Sequence, residues 1–282
     1  MIKNYKFFLL VPLIVLLLSV AILVNQYNQT GEWFKRSIEL KGGMLITINT
    51  EERLDITNIE DQLKSKFHPI NVREIRSFEG YGTIIETSSE IEPDEILSEL
   101  ASLGINTDDI SIESIGPSLG MAFWLQAQLA IIIAFIFMGI IVFVIFRTFI
   151  PSIAVIMSAM SDILITLAFM QVFGIELSLA GLAALLMLVG YSVDTDIMLT
   201  SRLLRESEEK TLADKMKRAL KTGLTMTFTS IGALAALLLS AISPVLSQIA
   251  MVLLIGLSFD IMNTWLMNSV ILRWYCEKRG LI

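Results

Sequence analysis

The chain has 282 residues, 54% of them hydrophobic, with a mean hydropathy of +0.70 and a formal net charge of −7. That composition lies outside the range of soluble globular domains and identifies an integral membrane protein. Asn25–Met121 carries 18 acids against 8 bases while the remainder nearly balances, so the acidity belongs to one polar domain and nothing suggests a nucleic-acid footprint.

In chain order, Phe7–Val24 is apolar apart from Ser19, and its 18 residues span roughly 27 Å, close to a bilayer core of about 30 Å. Lys3 and Lys6 precede it, and Asn25-Gln26-Tyr27-Asn28 offers no small-residue cleavage site, which predicts an uncleaved signal anchor with a cytoplasmic N-terminus. Asn28-Gln29-Thr30 is a glycosylation sequon in form, close to the bilayer. The polar stretch that follows, to about Gly120, is β-rich in Gly43–Asn49, has helical spacing in Asp55–Phe67, and alternates in Val72–Phe78. Gly80-Tyr81-Gly82 reads as a turn, Thr83–Thr87 as a further strand, Pro93–Leu103 as a helix opened by proline, and Ile110–Ile115 as a last strand. The order β-α-β-β-α-β is that of an α+β ferredoxin-like domain. His68, before Pro69, reads as a helix C-cap, and Glu51-Glu52 and Asp108-Asp109 as solvated faces.

Five more apolar runs follow, at about Ala122–Phe146, Ile150–Phe173, Leu177–Leu199, Gly223–Ala241 and Leu246–Leu272, each near spanning length. The expected fold is therefore an α-helical membrane protein with six transmembrane helices and an external α+β ferredoxin-like domain. Its parts are 1–27, 28–120 and 121–282, the last with a cytoplasmic loop at 201–222. The segments at Arg147, at 201–222 and after Leu272 hold eleven Lys or Arg, whereas Gln171–Glu176 and Ile242–Val245 hold none. That asymmetry places both termini in the cytoplasm and the polar domain outside.

Four aspartates fall within the spans: Asp162, Asp194, Asp196 and Asp260. An ionised Asp at the centre of a span costs about 2.5–3.5 kcal/mol on insertion scales, so each is a candidate for proton coupling. On a helical wheel Ser158, Asp162 and Thr166 share a face of the third span, and Gly256, Asp260 and Thr264, with Asn263 near the edge, share a face of the sixth. In the fourth span Ala183, Met187, Gly190, Asp194 and Ser201 lie on one side, with Asp196 about 200° from Asp194. This gives Asp194 the better claim to a central site and turns Asp196 toward another helix or the cytoplasmic interface. Thr222, Thr225, Thr229, Gly232, Ala236 and Ser240 form a small-residue stripe on the fifth span, so spans three to six are expected to pack around a common polar centre. Arg202 and Arg205 read as topology anchors, and Glu206–Thr222 as an amphipathic connector at the membrane surface. The single cysteine, Cys276, excludes an internal disulfide or a cysteine cluster for metal.

Three motifs carry a resemblance: Glu39-Leu40-Lys41-Gly42-Gly43 after the first span, Ile115-Gly116-Pro117-Ser118-Leu119-Gly120 before the second, and Gly190-Tyr191-Ser192-Val193-Asp194 through Arg202 in the fourth. Over essentially its whole length the chain resembles the SecD/SecF family of protein-export membrane proteins, half-size relatives of the RND transporters. Bacterial members typically read Asn-Asp-Thr where this chain has Asp194-Thr195-Asp196, and this form, with Asp260–Trp265, is similar to the archaeal branch. Asp162 within Ser161–Thr166 matches the family's third-span acid more directly.

The resemblance implies a non-enzymatic accessory subunit that pairs with SecD, associates with the Sec translocon channel and helps secretory polypeptides leave the membrane. It implies no cofactor and coupling to the proton gradient; Gly42-Gly43 lacks the ending of a P-loop. Two other classes fit the residues: a scaffold whose aspartates only pack, and an RND-type lipid or small-molecule exporter half.

Overall fold

A computed structural model describes residues 5–50, 54–77, 80–105, 110–204, 211–240 and 242–279. The expectations for Glu51, Glu52, Asp108, Asp109, Arg205, Glu206 and Lys210 lie outside the described residues. The elements are α1 (Leu10–Thr30, after a 3-10 turn at Tyr5–Leu9), α2 (Ile38–Lys41), β1 (Gly43–Thr50), α3 (Ile56–Lys66), β2 (Ile70–Ser77), β3 (Gly80–Thr87), α4 (Pro93–Ser102) and β4 (Ile110–Ile115). They continue with α5 (Pro117–Phe146), α6 (Phe149–Val172), α7 (Leu179–Leu204), α8 (Leu212–Ser240), α9 (Pro244–Met262), a π-helical turn (Asn263–Asn268) and α10 (Ser269–Arg279). Two compact units result, one of residues 1–35 with 129–282 and one of 36–128.

In the unit 36–128 every strand pairing is antiparallel and the order is β2-β3-β1-β4, the ferredoxin-like arrangement. Alternation along β1 sends Met44, Ile46 and Ile48 to one face, where Ile59 and Leu63 of α3 and Ile96 and Leu100 of α4 cover them. Burying each such side chain stabilises the fold by about 1.5–3 kcal/mol relative to exposure. α3 begins where Asp55 accepts the Asn58 N–H at 3.3 Å, and α4 begins on Pro93 with Asp94 and Glu95 complementing the helix dipole. Two expectations need correction. Gly80-Tyr81-Gly82 is strand, because the ladder continues through Gly82↔Ile75, Tyr81↔Arg76 and Gly80↔Ser77. α3 is closed by the Phe67 N–H on the Leu63 carbonyl at 2.8 Å, leaving His68 exposed beyond the cap.

The two glycine motifs meet. A Cβ on Gly42 (φ 83°) would lie 2.5 Å from the Pro117 Cα, and one on Gly120 would lie 2.4 Å from the Gly42 nitrogen. Backbone therefore packs on backbone where the start of α5 crosses the turn after α2, an approach that only glycine permits. The Arg36 guanidinium stacks over the Trp124 ring at 5.1 Å beside this crossing.

In the other unit α6, α7 and α9 pack against one another, α1 lies on α6, and α8 lies on α9 and α7. Six helices among the described residues are long and apolar enough to cross a membrane. They run past the apolar limits of the sequence, so that Asn28 of the sequon falls in the last turn of α1. No separate surface helix precedes the fifth span among the described residues, since α8 runs unbroken from Leu212. One face of its first turns packs inward: half-buried Leu212 and Met216 and buried Ala219 meet Leu199, Leu203, Leu272 and Cys276 in a small core at the ends of α7, α8 and α10, while Leu220 stays exposed.

The glycine crossing makes a sharp test. Gly120→Ala should lower the stability of the chain by about 1–3 kcal/mol through overpacking. Gly116→Ala, where a Cβ meets nothing within 4 Å, should leave it nearly unchanged. Thermal unfolding of the two purified variants against wild type reads the difference.

Candidate functional site

Three of the four predicted carboxylates converge. Asp162 on α6, Asp196 on α7 and Asp260 on α9 are each 0% exposed, and they are close enough to act electrostatically on one another. Asp162 is held at both oxygens: Ser192 Oγ donates to Oδ2 at 2.6 Å and Asn263 Nδ2 donates to Oδ1 at 2.7 Å. Asn263 Nδ2 also reaches Ser161 Oγ at 3.1 Å. Asp196 takes two donors on a single oxygen, Oδ1, from Asn268 Nδ2 at 2.6 Å and Thr264 Oγ1 at 2.9 Å. The same Thr264 hydroxyl stands 3.2 Å from Asp260 Oδ1. Oδ2 of Asp196 and Oδ2 of Asp260 meet no donor in hydrogen-bond geometry, although Ser158 stands beside the first carboxyl, and Ser192 and Asp162 stand beside the second.

The local sequence explains the convergence. Ser192, Asp196 and Thr200 recur every four residues and form the inward face of α7. Gly256 lets α9 approach α7, since a Cβ there would lie 2.4 Å from Leu188 Cδ2. The π-helical turn, with the Ser269 N–H bonded to the Thr264 carbonyl, aims both Asn263 and Asn268 inward.

Two expectations are reversed. Asp194 is exposed on the outer face of α7 with Ala183, Met187 and Gly190, and Asp196 takes the central place. The 200° between them on the wheel is respected; the side chosen as inward was the wrong one, because Ser192 and Thr200, not Gly190, mark the packed face. The small-residue stripe of α8 also turns outward. Thr225 and Thr229 are exposed and donate to carbonyls of their own helix, at Lys221 (2.8 Å) and Met226 (2.7 Å), and Gly232, Ala236 and Ser240 are exposed as well. Ala219, Gly223 and Thr227 face inward instead. The Trp265 indole dictates this, since a Cβ at Gly223 would lie 2.4 Å from its Cζ2.

Of the remaining predicted stripe, Ser158, Thr166, Asn263 and Thr264 are buried at the centre, with Thr166 donating to the Asp162 carbonyl at 2.6 Å. Ser161, Ser192 and Asn268 are functional neighbours that the wheel did not single out. Four-residue spacing from Asp196 would have found Ser192, and the same spacing continued from Asp260 and Thr264 would have found Asn268.

No Lys, Arg or His among the described residues pairs with any of the three acids. Nor do three His, Cys, Asp or Glu among them converge as a metal site. Removing a donor from a buried carboxyl costs about 1–3 kcal/mol, so Asn263→Ala should destabilise the chain by that amount. Thr225→Ala and Thr229→Ala should stay within about 0.5 kcal/mol. Thermal unfolding in detergent checks the contrast.

Comparison with known proteins places this geometry. Residues 95–278 match the family described as "Protein export membrane protein SecD/SecF, C-terminal". The chain is 39% identical to the protein-export membrane protein SecF of Methanolacinia petrolearia over 95% of its own length and 93% of that protein. It is 37% identical to SecF of Methanocaldococcus jannaschii over 99% and 98% respectively. Its fold is similar to the crystal structure of SecDF, a translocon-associated membrane protein from Thermus thermophilus, with a TM-score of 0.75 and 20% identity. That match covers 97% of this chain but only 38% of the SecDF chain. The chain belongs to the SecD/SecF family of protein-export membrane proteins.

Proposed function

We propose that this chain is a SecF-type accessory subunit of the Sec export machinery in the cytoplasmic membrane. It works with SecD beside the translocon channel and assists secretory polypeptides as they leave the membrane. It is not an enzyme; the work is driven by protons held and passed by Asp162, Asp196 and Asp260, coupled to motion of the polar unit. The distribution of Lys and Arg supports an orientation with both termini cytoplasmic and the polar unit outside. The names of the homologues and the SecDF fold support the SecD partnership.

One observation carries the proton assignment. The Thr264 hydroxyl lies between Asp196 Oδ1 at 2.9 Å and Asp260 Oδ1 at 3.2 Å, yet a hydroxyl has a single proton to donate. It satisfies one carboxyl as donor and the other only as acceptor, so one of the two acids must bring a proton of its own. Three unpaired negative charges in an apolar bundle would each carry a desolvation penalty of several kcal/mol. Protons relieve both shortages, and moving them re-sorts which groups donate.

Asp196→Asn and Asp162→Asn should therefore leave the complex with SecD assembled while lowering gradient-driven export to the level seen with an ionophore. Asp194→Asn should retain gradient stimulation. Export of a secretory protein into reconstituted vesicles, with and without ionophore, measures this; full stimulation in both central variants would reduce the aspartates to packing.

A further inference from the structure

The π-helical turn poses a question that a proton site alone does not answer. On a regular helix Asn263 and Asn268 would stand about 140° apart, and their amides would not both reach the same buried cluster. A π turn closes i→i+5 bonds, is rare, and is frequently found at functional sites. Here it brings Asn263 onto Asp162 at 2.7 Å and Asn268 onto Asp196 at 2.6 Å, with Thr264 between them. The two amides therefore bind different acids, and they bind them differently. Asp162 is engaged at both oxygens, whereas both donors to Asp196 converge on Oδ1, leaving Oδ2 with no donor in hydrogen-bond geometry.

We propose that Asn268 is a positioning residue which, together with Thr264, pins Oδ1 of Asp196 and thereby fixes Oδ2 as the oxygen that takes up and releases the proton. This rests on proton coupling at the cluster. The titratable groups acting on Asp196 are Asp260 of α9 and Asp162 of α6, and Ser158 is the hydroxyl beside it. An Asp196 carboxyl freed at Oδ1 would rotate and present either oxygen to the proton, and the choice of one oxygen would be lost. The π turn is thus the backbone feature that makes a symmetric carboxyl group asymmetric. The carbonyl oxygens of both asparagines, Asn263 Oδ1 and Asn268 Oδ1, are buried without a donor in hydrogen-bond geometry. Both amides therefore act as donors only.

The test is difference infrared spectroscopy of the full chain assembled with its SecD-type partner in proteoliposomes, as bulk pH is stepped. A protonated carboxyl C=O band that disappears in Asp196→Asn identifies the acid. Because Oδ1 is then the carbonyl oxygen and accepts two hydrogen bonds, Asn268→Ala should move that band to higher wavenumber, and Asn268→Gln, which keeps the amide, should recover part of the shift. Thr264→Val removes the second donor at nearly constant shape and should move the band the same way, so the test survives if Asn268→Ala does not fold. Thr225→Val, whose hydroxyl is exposed, should leave the band in place. Absence of any band sensitive to Asp196→Asn overturns proton carriage and the proposal with it. A band present in wild type but unmoved in Asn268→Ala and Thr264→Val overturns the positioning role alone.

Discussion

Three carboxyl groups share too few hydrogen-bond donors in a place that water does not reach, and much of the membrane unit follows from that shortage. Two hydroxyls and two primary amides serve Asp162, Asp196 and Asp260, and no cation among the described residues helps. Such a cluster holds together only if its donors are placed to within a few tenths of an ångström, because an unmet buried acceptor costs as much as a good hydrogen bond gives. The close contact of Gly256 with Leu188, the seating of Trp265 against Gly223 and the widened turn of the sixth span each bring backbone or side chains nearer than a regular, fully substituted helix packing would allow. They are the mechanical means by which three helices deliver donors to one point.

The polar unit solves a different problem with the same residue. Its glycines at Gly42 and Gly120 bring two backbones into contact and fix where α5 leaves the sheet. The Gly-Gly motif after the first span is thus a packing joint, with nothing in its geometry that cradles a phosphate. Its four-stranded sheet is held by an ordinary apolar core, and its buried Glu86 is balanced by Arg73 at 2.7 Å. Among the described residues, no such ionic compensation reaches the three buried aspartates of the bundle.

What the sequence revealed and what it hid divide along physical lines. Period-2 and period-3.6 patterns are local, so the β-α-β-β-α-β order, the six apolar helices and the inward faces of α6 and α9 could be read directly. The inward face of α7 could not be chosen by polarity alone, because both sides of that helix carry an aspartate; in the fold Ser192 meets Asp162 of α6 and Asp196 meets Thr264 and Asn268 of the sixth span. The orientation of α8 depended on the bulk of Trp265, a contact between residues 42 positions apart. Asn268 extends the Asp260–Thr264 stripe by four residues, but its meeting the cluster together with Asn263 depends on the π turn, which the period of a regular helix does not predict. Local chemistry was legible; selection between two faces of one helix was not.

Asp194 remains on the outer face of α7, eight residues before Arg202. A carboxylate there adds nothing to the folding of this chain, and lipid offers it no donor. At about 2.5–3.5 kcal/mol for an ionised Asp at the centre of a span, the orphan subunit carries a penalty that a neighbouring helix with a suitable donor removes. By the rule of 1.4 kcal/mol per factor of ten, that difference biases an equilibrium between lone and covered subunit by about a hundredfold. A side chain outside the central cluster thus makes solitude in the bilayer expensive, and gives assembly a driving force of its own.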